Sequence, residues 1–169
     1  GLAKAWTPGE LGARKRLRDF LKTVDGYATG RDRPDEDHTS RLSPHLHFGE
    51  ISPHQIWRAA VHAQEAGEAP ARDIQKFLSE VAWRDFSHHL LYHDPQMGHL
   101  SWRRQFEEVD WRTGSKAELE AWKRGQTGYP IVDAGMRQLW ATGFMHNRVR
   151  MIVASFFAKD LLVHWRKGE

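Results

Sequence analysis

The chain contains no cysteine. That absence removes disulfides, thiolate metal sites and cysteine nucleophiles together, and it agrees with a reducing compartment such as the cytoplasm, where this protein is expected. Long apolar runs are missing as well. Nothing approaches the roughly 20 apolar residues of a bilayer-spanning helix, and the opening GLAKAWTPGE has no apolar core of a signal peptide, so no membrane partner is expected. Neither GxGxxG nor a Walker A loop occurs, which excludes those two modes of phosphate binding. A GxSxG elbow and an HExxH pair are also absent, which leaves serine hydrolase and metalloprotease chemistry without support. No segment alternates apolar and polar residues for long enough to suggest a strand.

What is present is globular in composition: 169 residues, 40% hydrophobic and 28% charged. This is enough for one domain with a real core, expected as a monomer. The net charge of +3 is compatible with a nucleic-acid partner without requiring one. Eight tryptophans exceed what one small core absorbs, so some are candidates for stacking or redox roles.

The periodicity predicts an all-α fold. Thr7-Pro8-Gly9-Glu10 offers an N-cap, a proline and a capping-box glutamate ahead of a helix carrying Leu17, Phe20, Leu21 and Val24, ended by Asp25-Gly26. A turn-rich loop follows through Glu50. Ser52-Pro53-His54-Gln55 repeats the capping logic and opens a helix to about Gly67. Ile74, Phe77, Leu78, Val81, Phe86 and Leu90 mark a long helix to about His93, broken by Asp94-Pro95. Residues 95–115 read as irregular and 116–124 as a short helix. Another helix runs from Gly128-Tyr129-Pro130 through Trp140, with Gly143 past its end, and a last one covers roughly 146–166.

Several clusters could carry chemistry. Glu80, Trp83 and Arg84 share a face of the long helix with Phe77 one turn earlier; a surface Glu–Arg pair beside a packed indole is the plain reading, and a platform for a flat heterocycle the sharper one. Thr39-Ser40-Arg41-Leu42-Ser43-Pro44 offers hydroxyls, a guanidinium and backbone N–H groups that could cradle phosphate, although Ser43-Pro44 reads equally as a simple N-cap. In GFMHNRVRM, residues 143–151, four strongly hydrogen-bonding side chains stand at the mouth of an apolar helix. Asn147, Arg150 and Met151 share a face there, while Arg148 is expected to point elsewhere. Arginines sit poorly at a helix N-terminus, which favours an anionic partner over a merely solvated first turn. His88, His89, His93 and Asp94 imitate a zinc site, but no further ligand has suitable spacing and no metal is expected.

Three stretches together resemble the FAD-binding helical domain of the DNA photolyase/cryptochrome family: TSRLSPHLHFGEISP at 39–53, FLSEVAWRDF at 77–86, and GQTGYPIVDAGMRQLWATGFMHNRVRMIVASFFAKDLLVHWRKGE at 125–169. Weaker agreement includes WTPGE and Tyr27 with GRDRP, so the resemblance extends along essentially the whole chain. It implies FAD as cofactor and DNA containing pyrimidine dimers as substrate. On that resemblance Tyr27, Thr39, Ser40, Leu42 and Ser43 hold the FAD diphosphate and ribityl region, and Arg84, Asn147 and Arg150 line the flavin side. Phe77, which stands where the family often has tryptophan, is counted with them among the FAD contacts. Glu80, Trp83, Asn147 and Met151 meet the damaged dinucleotide, Arg148 touches DNA, and Trp111 and Trp165 are outer and middle members of an electron-hopping chain. Glu80, Asn147, Trp165 and Trp111 are thus the catalytic candidates. The pair His146-Asn147 is similar to dimer-repairing members, whereas (6-4) repair enzymes usually have two histidines there. A cryptochrome photoreceptor and a flavin-free helical DNA-binding module are the alternatives. The resemblance further implies that the antenna domain, with its second chromophore, and the segment closing the flavin pocket lie outside these 169 residues. The domain is then partial, and the isolated chain is expected to be inactive in repair.

Overall fold

The computed structural model describes residues 2–168; among them the regular elements are helices, joined by turns and irregular segments, with one isolated parallel bridge between Arg112 and Val163. The α-helices are α1 (Leu2–Ala5), α2 (Glu10–Lys22), α3 (Tyr27–Gly30), α4 (Ser43–His47), α5 (Pro53–Glu65), α6 (Ala71–His93), α7 (Lys116–Lys123), α8 (Pro130–Thr142) and α9 (Asn147–Ser155). The chain forms two compact units, Gly1–Ser87 and His88–Glu169. No helix among the described residues is long and apolar enough to cross a membrane.

In the first unit Leu17, Phe20 and Val24 meet Ile56 and Ala60 of α5 and Ile74, Phe77, Leu78 and Val81 of α6 in one buried cluster. These are the residues that recur at helical spacing, so amphipathic periodicity decides which face goes inward. The start of α5 is as expected: Ser52 Oγ accepts from Gln55 N–H, and the Gln55 side chain accepts from Ser52 N–H.

The start of α2 differs from the sequence expectation. Thr7 does not cap it; the helix begins at Glu10 with Gly9 as the capping residue, and no local side chain serves the cap. Glu50 does this work from 41 positions away, accepting the Gly9 N–H at 2.7 Å. The same carboxylate meets Nδ1 of buried His45, so α4 and the start of α2 share one polar tie. The His45 contact, and then the Gly9 N–H, hold the Glu50 carboxyl below the usual carboxylate range. A lowered folded-state value gives stability that is present above the unfolded value, about 4.3, and is lost as pH falls through the folded one. Glu50→Gln is therefore expected to flatten the decline of the urea midpoint on acidification. An acid decline as steep as that of the parent would contradict this role.

The second unit packs Trp122 of α7 and Val132 and Met136 of α8 against Met145, Val149 and Val153, with Phe156, Phe157 and Val163. Gly135 makes the α8–α9 contact possible, because a Cβ there would run into Val149 Cγ1. Gly143 ends α8 in the left-handed conformation, φ 69°. The last helix does not reach 166. It ends at Ser155, passes through a π-turn over Phe156–Asp160, and reverses at Leu162, φ 52°. A tertiary bond explains the early stop: Arg112 N–H donates to the Leu162 carbonyl at 2.8 Å, and Val163 is fully buried beside it. Ser43 likewise does not cap α4 but is its first residue, with Leu42 as the capping residue.

Candidate functional site

The two units each carry a set of the candidate residues. In the first, Tyr27 is buried and meets Phe20 and Phe77 edge-on, with ring centroids 5.5 and 5.7 Å away. Phe77 packs against Phe20 at 4.7 Å, so its ring belongs to the core. Burial raises the Tyr27 phenol above its ordinary value, against the opposing pull of the Arg31 guanidinium. Buried Asp73 holds the turn before Tyr27 by accepting from Gly26 N–H at 3.2 Å and Ala28 N–H at 2.6 Å.

The loop at 39–43 is shaped by its neighbours. Arg16 Nε donates to the Ser40 carbonyl at 3.0 Å, Arg41 takes a left-handed φ of 52° and pairs with Asp37 at 3.0 Å, and Leu42 enters the core. With its side chain buried, Leu42 has only backbone to offer a ligand. Ser40 Oγ is turned to Leu42 N–H at 3.4 Å. Among the described residues the hydroxyls of Thr39 and Ser43 have no hydrogen-bond partner.

On α6, Glu80 and Arg84 do not form the surface pair that their spacing suggests. Glu80 instead joins Arg31 at 2.9 Å and Lys76 at 3.1 Å, and Arg84 faces Asp85 at 3.4 Å. Arg31 also stands over the Tyr27 ring, its guanidinium carbon 5.9 Å from the centroid. Arg31 is the residue that sequence reading misses; its position beside Tyr27 in GRDRP was the available signal. Trp83 is 59% exposed and meets Phe86 edge-on at 5.6 Å. An indole left in water on a packed helix is available as a stacking surface.

In the second unit the mouth of α9 divides its labour. His146 is buried and caps the helix, its Nδ1 accepting from Arg148 N–H at 3.2 Å. Asn147 and Arg150 are exposed, and among the described residues neither the carboxamide nor the guanidinium has a partner. Arg148 does not point away from its neighbours: Nη1 approaches the sulfur of Met151 at 3.7 Å, and Met151 is 56% exposed. Further along, Trp111 and Trp165 line one shallow pocket of about 290 Å³ with Met97, Leu100, Trp102 and Phe106. Among the described residues there is no group of three His, Cys, Asp or Glu side chains placed to hold a metal.

The fold class is all-helical, with the Thr39 and Ser43 hydroxyls, the Arg150 guanidinium and the Trp83 indole available to a ligand among the described residues. The comparisons narrow it. The family described as the FAD binding domain of DNA photolyase matches residues 77–169. The chain is 53% identical over 165 residues to the deoxyribodipyrimidine photo-lyase of Agrobacterium fabrum, covering 97% of this chain and 34% of that protein. The fold superposes on the crystal structure of a bacterial class III photolyase from Agrobacterium tumefaciens with a TM-score of 0.93 and 51% identity, over 99% of this chain and 34% of that one. Cryptochrome-1 of Arabidopsis thaliana is 37% identical over 179 residues, with 99% of this chain and 25% of that protein covered. The chain belongs to the DNA photolyase/cryptochrome family, within its FAD-binding all-α domain. It spans about a third of the length of the photo-lyase relatives it matches.

Proposed function

We propose that this chain is part of a cytoplasmic deoxyribodipyrimidine photo-lyase that binds FAD and splits cyclobutane pyrimidine dimers in DNA with light. The observation that carries the reading is the set of polar groups with no partner among the described residues, Thr39, Ser43, Asn147 and Arg150, at positions that resemble the family's ligand contacts. The donor set fits the cofactor: hydroxyls for a diphosphate, and guanidinium and carboxamide groups for the polar edge of a flavin. FAD supplies the light-driven electron donor and carries the hard chemistry.

The residues have separable tasks. Thr39, Ser40 and Ser43, with the backbone at Leu42 and the nearby Tyr27, hold the diphosphate and ribityl region. Arg84, Asn147 and Arg150 orient the ring system. Trp83 stacks on the bases of the extruded dimer, since an enzyme that does chemistry on a base takes it out of the duplex stack. Glu80 accepts a hydrogen bond from a pyrimidine N–H, and its geometry is set in advance by Arg31 and Lys76, as preorganised electrostatics requires. Arg148 pairs with DNA phosphate and Met151 lies against the lesion. One electron enters the dimer, two carbon–carbon bonds open, and the electron returns, so no net oxidation occurs.

Likeness to a cryptochrome supports a photoreceptor as the second reading. Absorbance after incubation with FAD and desalting, followed by light-dependent conversion of a thymine-dimer oligonucleotide, separates them. Retained flavin with repair by the flavin-loaded full-length protein is expected. Retained flavin without repair favours the photoreceptor, and DNA affinity without retained flavin would overturn both.

A further inference from the structure

Trp111 and Trp165 are separated by a third ring. His164 lies edge-on to Trp111, with centroids 5.3 Å apart at 70°, and stacks on Trp165 at 5.5 Å and 29°. Each ring is anchored. Trp111 Nε1 donates to the Phe106 carbonyl at 3.2 Å, Trp165 Nε1 to Ser101 Oγ at 3.4 Å, and His164 Nδ1 accepts from Arg166 N–H at 3.3 Å. The backbone beneath is clamped by the Arg112–Leu162 hydrogen bond and the Arg112–Val163 bridge, immediately beside two of the rings. Lys167 Nζ, donating to the Thr113 carbonyl at 2.8 Å, ties the same two segments once more. A histidine held this firmly between two indoles 54 positions apart in the chain is more than a surface residue beside a turn.

We propose that His164 is a positioning residue that bridges electron transfer between Trp111 and Trp165. The proposal rests on the reading of these tryptophans as a path to an excited flavin. When Trp165 has passed one electron onward toward that oxidant, one electron passes from Trp111 through contact with His164 and restores Trp165. Trp111 is left oxidised and releases its Nε1 proton to solvent. His164 gains and loses nothing, and no ring bond breaks. A thiol in solution then returns one electron and one proton to Trp111, and its Nε1–H bond to the Phe106 carbonyl is restored. The ring fills a gap that side chains without a π-system fill poorly, and its bond to Arg166 N–H keeps both contacts from drifting.

The test uses the flavin-loaded full-length protein and flash photolysis, reading the yield of long-lived tryptophan radical. His164→Leu is expected to lose that yield while keeping bound flavin; His164→Phe, which restores a ring, is expected to recover it. Near-ultraviolet circular dichroism of the flavin-free protein gives an independent readout, with the aromatic signal reduced in His164→Leu and kept in His164→Phe. Trp111→Phe and Trp165→Phe are the reference variants. If both reduce the radical yield and His164→Leu does not, the bridge is refuted while the path stands. If neither reduces it, the path fails and the bridge with it.

Discussion

Asp133→Ala is expected to destabilise the second unit by about 3 kcal/mol, because three donors converge on one buried carboxylate and hydrogen bonds to charged groups contribute roughly 1.5–3 kcal/mol each, not additively. Thr127 N–H reaches it at 2.7 Å, the Thr127 hydroxyl at 2.6 Å and Gly128 N–H at 3.0 Å. The carboxylate thereby fixes the entry to α8. Burial pushes this carboxyl upward, but the Thr127 and Gly128 bonds outweigh it and hold the group below its ordinary value. The stability it supplies is therefore present above the unfolded value, about 3.9, and is lost as pH falls through the folded one. Asp133→Asn keeps one acceptor oxygen and should lose less, about 1 kcal/mol. Urea denaturation followed by tryptophan emission, with buried Trp122 in the same core, measures both. A loss within about 0.5 kcal/mol for the alanine variant is what an unimportant surface site would give, and it would contradict this assignment.

Asp133 also shows where sequence reading stops. An acidic residue in the first turn of a helix is legible from sequence, and so are the Ser52–Gln55 capping box and the break at Asp94-Pro95, since each involves neighbours in the chain. The turn geometry that brings Thr127 and Gly128 onto one carboxylate is not. Distance along the chain hides more: Glu50 serving Gly9 and Asp73 serving Gly26 and Ala28 are long-range replacements for local caps, so a rule built on local caps expects Thr7 where Gly9 stands. The overextended last helix has the same origin, because its apolar pattern continues past Ser155 while the Arg112–Leu162 bond turns the chain. The candidate site was legible to the extent that it lies in motifs. Which of those side chains are engaged internally was not, and Arg31 entered only once Glu80 was found in its grip.

That grip yields the second large effect. Arg31→Met is expected to weaken binding of a thymine-dimer oligonucleotide by roughly ten- to a hundredfold, the equivalent of losing one charge-assisted hydrogen bond of about 1.5–3 kcal/mol. Only 10% of the Arg31 side chain is exposed, so its bond to Glu80 forms away from bulk water, whereas Lys76 is 38% exposed and its pair with Glu80 is screened. Methionine retains apolar bulk beside Tyr27 while removing the charge. Glu80 then keeps one flexible partner, and its carboxylate no longer waits in the geometry that a pyrimidine N–H requires. Lys76→Met should change affinity by less than about threefold, in line with the worth of an exposed pair. Fluorescence anisotropy on the flavin-loaded full-length protein, with dimer-containing and intact oligonucleotides side by side, distinguishes loss of lesion recognition from loss of general DNA attraction. An equal loss on both would make Arg31 a phosphate contact, and no loss on either would mean that Glu80 does not need to be held.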